Sequence, residues 1–340
     1  MGSVKDLITI EEPQEKEAGK GRFVFSDRYS VFDWGEMPDH IPHKGAALCL
    51  MTAFFFEKLE NQGLKTHYRG LVENDEVKKI DELQAPSGIM EVQLVNVLEP
   101  EYKNGTYDYS IYDGSQKNCL IPLEIIYRNT LPENSSFRRR AENGEIDIKD
   151  YGLQELPEPG VTLDEPIFDV STKLEASDRY ISWQEAREIA GLTQEEYTTI
   201  QNTLNKVNQT ITREVKKAGL QNLDGKIELA FDKNRNIMVV DAVGTPDECR
   251  FSYEGFSISK EAVRKYYRGT EWQKEAEQAK KTGEAEWKKQ VSTKPDSLPE
   301  KVLQLASDIY KECANQVTGR EWFADTPSFL ELKKQYKKLV

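Results

Sequence analysis

Residues 223–241, LDGKIELAFDKNRNIMVVD, constrain this chain more than any other segment. Two apolar-rich runs flank the polar stretch Asp232–Asn236, and that pattern predicts a β-hairpin. Side chains two apart on a strand face the same way. Asp224, Lys226 and Glu228 therefore share one face, while Leu223, Ile227 and their apolar neighbours largely cover the other. Asp241 closes the second strand. Carboxylates at Glu228 and Asp241 on paired strands could hold one Mg²⁺, which takes one or two carboxylates and leaves its other positions to water and phosphate. Lys226 beside them would neutralise a phosphate. A salt-bridged strand surface is the competing reading, since exposed ion pairs are common.

The rest of the chain narrows the classes. At 340 residues it is long enough for two domains and a sizeable core, so neither disulfides nor a structural metal is needed for stability. Aromatic residues at 10% argue against disorder. A net charge of -13 argues against a nucleic-acid coat or attachment to an anionic membrane. Cys49, Cys119, Cys249 and Cys313 form no CxxC pair, which excludes a zinc ribbon and points to a reducing compartment. His40, His43 and His67 all lie in the first fifth of the chain, so a multi-histidine metal site or a triad with a C-terminal histidine is excluded. The longest apolar run, Ala46 to Phe56, is far short of the roughly 20 residues of a membrane span. The acidic N-terminus has no signal-peptide apolar region. The expectation is a cytoplasmic protein.

Alternation over residues 21–34 predicts a hairpin or meander, and residues 46–62 a buried helix stopped at Gly63. Ile89 to Val97 and Leu120 to Tyr127 read as strands, with a Tyr- and Gly-rich hairpin excursion between them. From Glu133 to Pro166 the composition shifts, and the domain junction is expected near its start. Ser182–Glu185 and Thr193–Glu196 fit capping boxes; the second opens a long amphipathic helix ended by Gly219. Ser297–Glu300 opens a further helix. The charged stretch Glu271 to Gln290, with its Glu277/Lys281 and Glu284/Lys288 pairs, reads as one solvated helix.

Other clusters carry chemistry less specifically. Thr245-Pro246-Asp247 is ordinary turn chemistry, yet it sets Asp247 and Arg250 just beyond the carboxylate strand. Arg128 at a strand end, with Ser135 and Ser136 opening FRRR, makes an anion site. Arg138 to Arg140 alone read as a solvated helix face. Gly19-Lys20-Gly21-Arg22 could cover a nucleotide's phosphates, although GKGR is a frequent chance match, and Lys44-Gly45 is a similar weak signal.

In order, GKGRFVFSDRYSVFDWG, IPHKGAAL, PLEIIYRN, STKLEASD, DGKIELAFD, VVDAVGTPDECRF and SKEAVRKYYRG resemble the phosphoribosylaminoimidazole-succinocarboxamide synthase (SAICAR synthetase) family, from about Gly19 to Gly269. The resemblance implies a two-domain α+β fold related to ATP-grasp and protein-kinase folds, with an ATP cleft between the domains. Residues 1–128 would form a β-rich nucleotide-covering domain, and 129–340 an α+β domain with the metal and substrate site and a helical tail. It implies ligation of carboxyaminoimidazole ribonucleotide to L-aspartate with ATP, through an acyl phosphate, giving ADP and phosphate.

By position, Lys20, Gly21 and Arg22 match the phosphate-covering glycine loop, and Glu228 and Asp241 the carboxylates for Mg²⁺ and ATP. Arg128, Ser135 or Ser136, Lys226, Asp247 and Arg250 match residues around the imidazole nucleotide. Asp27, Ser30 and Asp33 match DRxSxFD; Lys44, Lys260 and Arg264 complete the substrate set, with Lys260 and Arg264 at a phosphate or the aspartate carboxylates. Lys226, Glu228 and Asp241 are the catalytic expectation, and a homo-oligomer is left open. The chain departs from the family's usual pattern at ENSS, at Ala242 in place of an acidic residue, and at Glu248 in place of a small one. A kinase-like phosphotransferase acting on another small anionic acceptor would share the nucleotide fold but need no aspartate. A non-catalytic nucleotide-binding protein would not need the Glu228/Asp241 pair with Lys226.

Overall fold

The computed structural model describes residues 4–133, 135–282 and 286–339. It contains two main antiparallel sheets. The first has the order β1 (Lys5–Glu11), β2 (Gly19–Phe25), β5 (Ile89–Leu94), β3 (Tyr68–Glu73), β4 (Glu76–Lys78). The second has the order β13 (Phe256–Ile258), β12 (Cys249–Tyr253), β10 (Gln221–Phe231), β8 (Cys119–Thr130), β9 (Thr162–Thr172), and β11 (Ile237–Val240) also pairs with β10. A small hairpin, β6 (Glu101–Lys103) and β7 (Thr106–Asp108), forms the excursion between the sheets. Residue 128 falls inside β8, which is a strand of the second sheet.

The helices are α1 (Lys44–Glu60), α2 (Ser136–Glu142), α3 (Trp183–Ile189), α4 (Gln194–Lys217), α5 (Glu261–Tyr267), α6 (Glu271–Lys280), α7 (Glu300–Thr318) and α8 (Phe329–Leu339). Helix α1 is apolar around most of its circumference and is buried accordingly. Thr193 caps α4 in a full capping box with Glu196, and Ile200, Leu204, Val207, Ile211 and Val215 bury its one apolar stripe. The core joins α1, α4 and α7 to the apolar face of the second sheet, where Ile125, Ile227 and Phe251 are buried. No helix among the described residues is long and apolar enough to cross a membrane.

Several expectations are corrected. Residues 26–43 do not continue a meander; β2 ends at Phe25 and takes its partner from upstream, in β1. Gly19 to Arg22 form strand β2, not a loop. The Glu133–Pro166 stretch folds on its own small core of Leu131, Phe137 and Ile167. Arg138 and Arg140 are buried rather than solvated. Glu271 to Gln290 is not one solvated helix: α6 stops at Lys280, and Trp272 is buried edge-on against Phe32 and Trp34. Glu284 lies outside the described residues. Pro299, not Ser297, precedes α7, and it caps without a side-chain bond.

Candidate active site

The polar face of the second sheet carries the site. Pairing sets Glu228 opposite Glu124, and Asp224 opposite both Arg128 and Arg250. Period two then brings Glu124, Arg128, Asp224, Lys226, Glu228 and Arg250 to one face, while Ile125, Tyr127, Ile227 and Leu229 enter the core. Two lysines stitch the acidic end. Lys226 Nζ lies 2.8 Å from Glu124 Oε1 and 3.6 Å from Glu248 Oε2. Lys173, just past β9, lies 3.0 Å from Glu124 and 2.7 Å from Glu228. Burial disfavours the charge of Lys226, but Glu248, Glu124 and Glu228 more than offset this and hold its pKa well above the ordinary value. Glu124 is buried too, yet Lys226 and Lys173 keep it below the ordinary carboxylate range.

Beyond Glu228 a cavity of about 300 Å³ lies between the two sheets. Leu7 and Phe23 from the first sheet, with Val97, Leu120 and Val240, give it apolar walls; Glu228 and Asp241 give it a carboxylate end. Asp241 follows β11 directly and has a left-handed backbone, φ 68. Its carboxylate accepts from Lys5 of β1. Burial and the neighbouring Asp241 charge raise the pKa of Glu228. At Asp241 burial acts in the same direction, but Lys5 outweighs it and lowers the pKa.

At the opposite end, buried Arg128 donates to Asp169 at 2.9 Å and to Ser136 Oγ at 3.1 Å. Ser136 in turn donates to the Tyr180 hydroxyl at 2.8 Å. Arg140 shares Asp169 and lies 4.0 Å over the Tyr180 ring. Ser135 instead caps α2, accepting from Phe137 N at 3.3 Å, so Ser136 is the hydroxyl at Arg128. Arg250 pairs with Asp224 at 3.3 Å.

A third group gathers at the N-terminus of α1. Buried Lys44 lies 2.8 Å from Asp247, whose other oxygen accepts from Tyr310 at 2.6 Å. Burial lowers the pKa of nearby Lys260. Arg264 pairs with Glu261 at 3.6 Å. Asp27 does not join a cluster of charges; it accepts from Gly45 N at 2.9 Å and His43 N at 3.2 Å and caps α1. Ser30 accepts from Gly35 N, and Asp33 pairs with Lys280 of α6 at 2.5 Å. Lys20 and Arg22 are not brought to the carboxylate pair. They alternate with Phe23, and both pair with Glu91, at 3.0 and 3.4 Å.

The SAICAR synthetase family profile matches residues 1–279. The chain belongs to the SAICAR synthetase family. It is 54% identical over 340 residues to a putative phosphoribosylaminoimidazole-succinocarboxamide synthase of Archaeoglobus fulgidus, with 100% of each chain covered. It is 34% identical to the synthase of Thermoplasma volcanium, over 88% of this chain and 93% of that one. The fold matches the SAICAR synthase of Saccharomyces cerevisiae complexed with SAICAR, with a TM-score of 0.64, 23% identity, and 95% and 94% of the two chains covered. It also matches a SAICAR synthetase in complex with ADP, with a TM-score of 0.59, 21% identity, and 97% and 99% covered. A SAICAR synthetase joins carboxyaminoimidazole ribonucleotide to L-aspartate at the expense of ATP in purine biosynthesis, and this is the activity of the chain. The phosphotransferase reading is not favoured.

Within this synthetase, the sequence reading missed Lys5, Glu124, Lys173, Asp169, Arg140, Tyr180 and Tyr310. Glu124 stands inside PLEIIYRN and Lys173 inside STKLEASD, so the motifs contained both without marking their roles. Nothing local marks Lys5 or Tyr310, because each meets its carboxylate partner only across more than 60 residues of sequence.

Proposed function

We propose that the charged face of the second sheet is the reaction track, with ATP at the Glu228/Asp241 end and the imidazole nucleotide toward Arg128. The observation carrying this reading is the placement of Glu228, Glu124, Lys226, Asp224 and Arg128 on one sheet face, with Lys173 linking Glu228 to the Glu124–Lys226 pair and Asp241 at the cavity beyond Glu228. The apolar walls suit a purine ring, and the carboxylate end suits its metal-bound phosphates. The two sheets then correspond to two lobes, in a relation to ATP-grasp and protein-kinase folds, with the nucleotide between them. In this reading the division of the chain falls before β8 rather than at residue 128, and the enzyme works in the cytoplasm.

Glu228 and Asp241 fit Mg²⁺ as a donor set. They are two hard carboxylates on one cavity, and Mg²⁺ takes one or two carboxylates and completes its shell with phosphate and water. Bound there, Mg²⁺ would supply charge neutralisation on the ATP phosphates.

The remaining work falls to this chain's side chains. Lys173 and Lys226 draw phosphate charge toward the sheet face and stay charged because carboxylates surround them. A carboxylate oxygen of the imidazole nucleotide attacks the γ-phosphorus, the bond to ADP breaks, and an acyl phosphate forms. Lys226 stabilises the charge built up on that carboxylate. The aspartate amine then attacks the acyl carbon, the C–N bond forms, phosphate leaves, and the amine proton goes with it. Arg128, Ser136 and Arg250 hold the nucleotide's phosphate. Lys44, Lys260 and Arg264 hold the amino acid, and Asp247, which the resemblance sets beside the imidazole nucleotide, joins them here because Lys44 holds its carboxylate. Asp27, Ser30 and Asp33 support this pocket by fixing the start of α1 and the loop before it. Lys20, Gly21 and Arg22 act through β2, as the strand that carries Phe23 over the nucleotide.

ADP release, measured with each of the three substrates omitted in turn, tests the reading. Release should require the imidazole nucleotide and depend strongly on L-aspartate. Equal rates with and without aspartate would return the phosphotransferase alternative.

A further inference from the structure

Among the described residues the tail after Gly269 reaches the candidate substrate residues through Lys280, which pairs with the exposed carboxylate of Asp33, and through Tyr310, which meets the buried carboxylate of Asp247; the resemblance assigns neither contact. Tyr310, midway along α7, donates to Asp247 Oδ1 at 2.6 Å, and Lys44 holds Oδ2 at 2.8 Å. Both oxygens of a buried carboxylate are thus occupied. The Lys44 ammonium also lies 5.5 Å from the centre of the Tyr310 ring, so the three groups lock one another. Helix α7 is tied to the start of α1 by Ser307, which donates to Pro42 O at 2.7 Å.

Two cations, Lys44 and Lys260, act on this single carboxylate, and Arg264 stands near Lys260 and Tyr310. Lys44 is committed to Asp247, and Arg264 lies 3.6 Å from Glu261, which Arg268 holds at 2.8 Å; Lys260 makes no ion pair among the described residues and, after Lys44, is the cation that acts on Asp247. A buried Asp247 oxygen without its phenol donor would need another partner, because an unpaired buried acceptor is costly. Lys260, already in electrostatic contact with Asp247, is the cation available to supply one.

We infer that Tyr310 is a positioning residue for the amino-acid substrate: it fixes Asp247 on Lys44, and so keeps Lys260 free to take a carboxylate of the incoming dicarboxylic amino acid. This rests on the reading that Asp247 and Lys260 belong to the amino-acid subsite. Burial and the adjacent Asp247 charge hold the phenol pKa far above neutrality, so it remains a donor throughout the working range.

The test is steady-state kinetics on the full chain with L-aspartate and ATP varied separately. Tyr310→Phe, which removes one oxygen and keeps the packing, should raise KM for L-aspartate about tenfold, the scale of one hydrogen bond to a charged group. KM for ATP should not move. Ser307→Ala loosens the same helix and should lower Tm without changing KM for aspartate. If Tyr310→Phe behaves like Ser307→Ala, moving Tm alone, Tyr310 is merely structural and the inference is overturned. Asp247→Asn separates this from failure of the underlying reading. An unchanged KM for aspartate in that variant removes Asp247 from the subsite, whereas a raised KM there with a normal Tyr310→Phe overturns the positioning role alone.

Discussion

Lys173 reaches Glu228 at 2.7 Å although their strands are not neighbours. Strand β8 lies between β9 and β10, and Lys173 crosses it over Glu124, which it also pairs with at 3.0 Å. One ammonium thereby ties Glu228, at the proposed nucleotide end, to the Glu124–Lys226 pair. Lys173→Met should lower kcat/KM for ATP at least about tenfold, the scale of losing a group that supports a metal ligand. Kinetics with ATP varied checks this, and a normal value would take Lys173 out of the track.

Glu228→Gln and Asp241→Asn should each cost at least about tenfold in rate and raise the Mg²⁺ concentration needed for half-maximal activity. Asparagine is the apt replacement at residue 241, because it tolerates the left-handed backbone that Asp241 adopts. A Mg²⁺ titration of initial rates is the measurement. Wild-type dependence in both variants would exclude the pair as metal ligands.

Lys226→Met keeps most of the side-chain length and removes the charge. Glu124 retains Lys173, so the buried carboxylate is not orphaned and Tm should change little. Turnover should fall about 10²-fold or more, the scale of one preorganised electrostatic group. Kinetics and thermal melting on this single variant separate a catalytic lysine from a surface pair, for which turnover would stay near normal.

Ser135 and Ser136 divide their work. Ser135→Ala removes the α2 cap and should cost about 1 kcal/mol of stability with little kinetic change. Ser136→Ala leaves the cap and should raise KM for the imidazole nucleotide, because its hydroxyl joins Arg128 to Tyr180. The opposite pattern would reassign the two.

Glu312 on α7 is buried, and burial, with Glu331 nearby, lifts its pKa from 4.5 to about 7. The folded state then binds more protons than the unfolded one between these values, so this group's effect on stability worsens as pH rises through that window. Glu312→Gln should melt above the wild type at pH values beyond the window, with the difference closing as pH falls to its lower edge. Melting curves across the range check the sign.

The sequence by itself determined the hairpin, because period-two alternation and a polar turn admit one local solution, and with it the shared face of Asp224, Lys226 and Glu228. It determined α4, whose stripe and capping box agree. The ordered motifs determined the family. Tertiary structure alone decided the partners of those charges. Residues 5–11 look like an acidic lead-in until pairing with β2 makes them an edge strand that delivers Lys5 to Asp241. Arg138 and Arg140 look solvated until Leu131 O and Asp169 receive them. Tyr310 is one more residue on an amphipathic helix until α7 docks on α1. Helical and strand periodicity is written within a few residues, whereas a buried charge is matched by whichever distant segment the packed core brings to it.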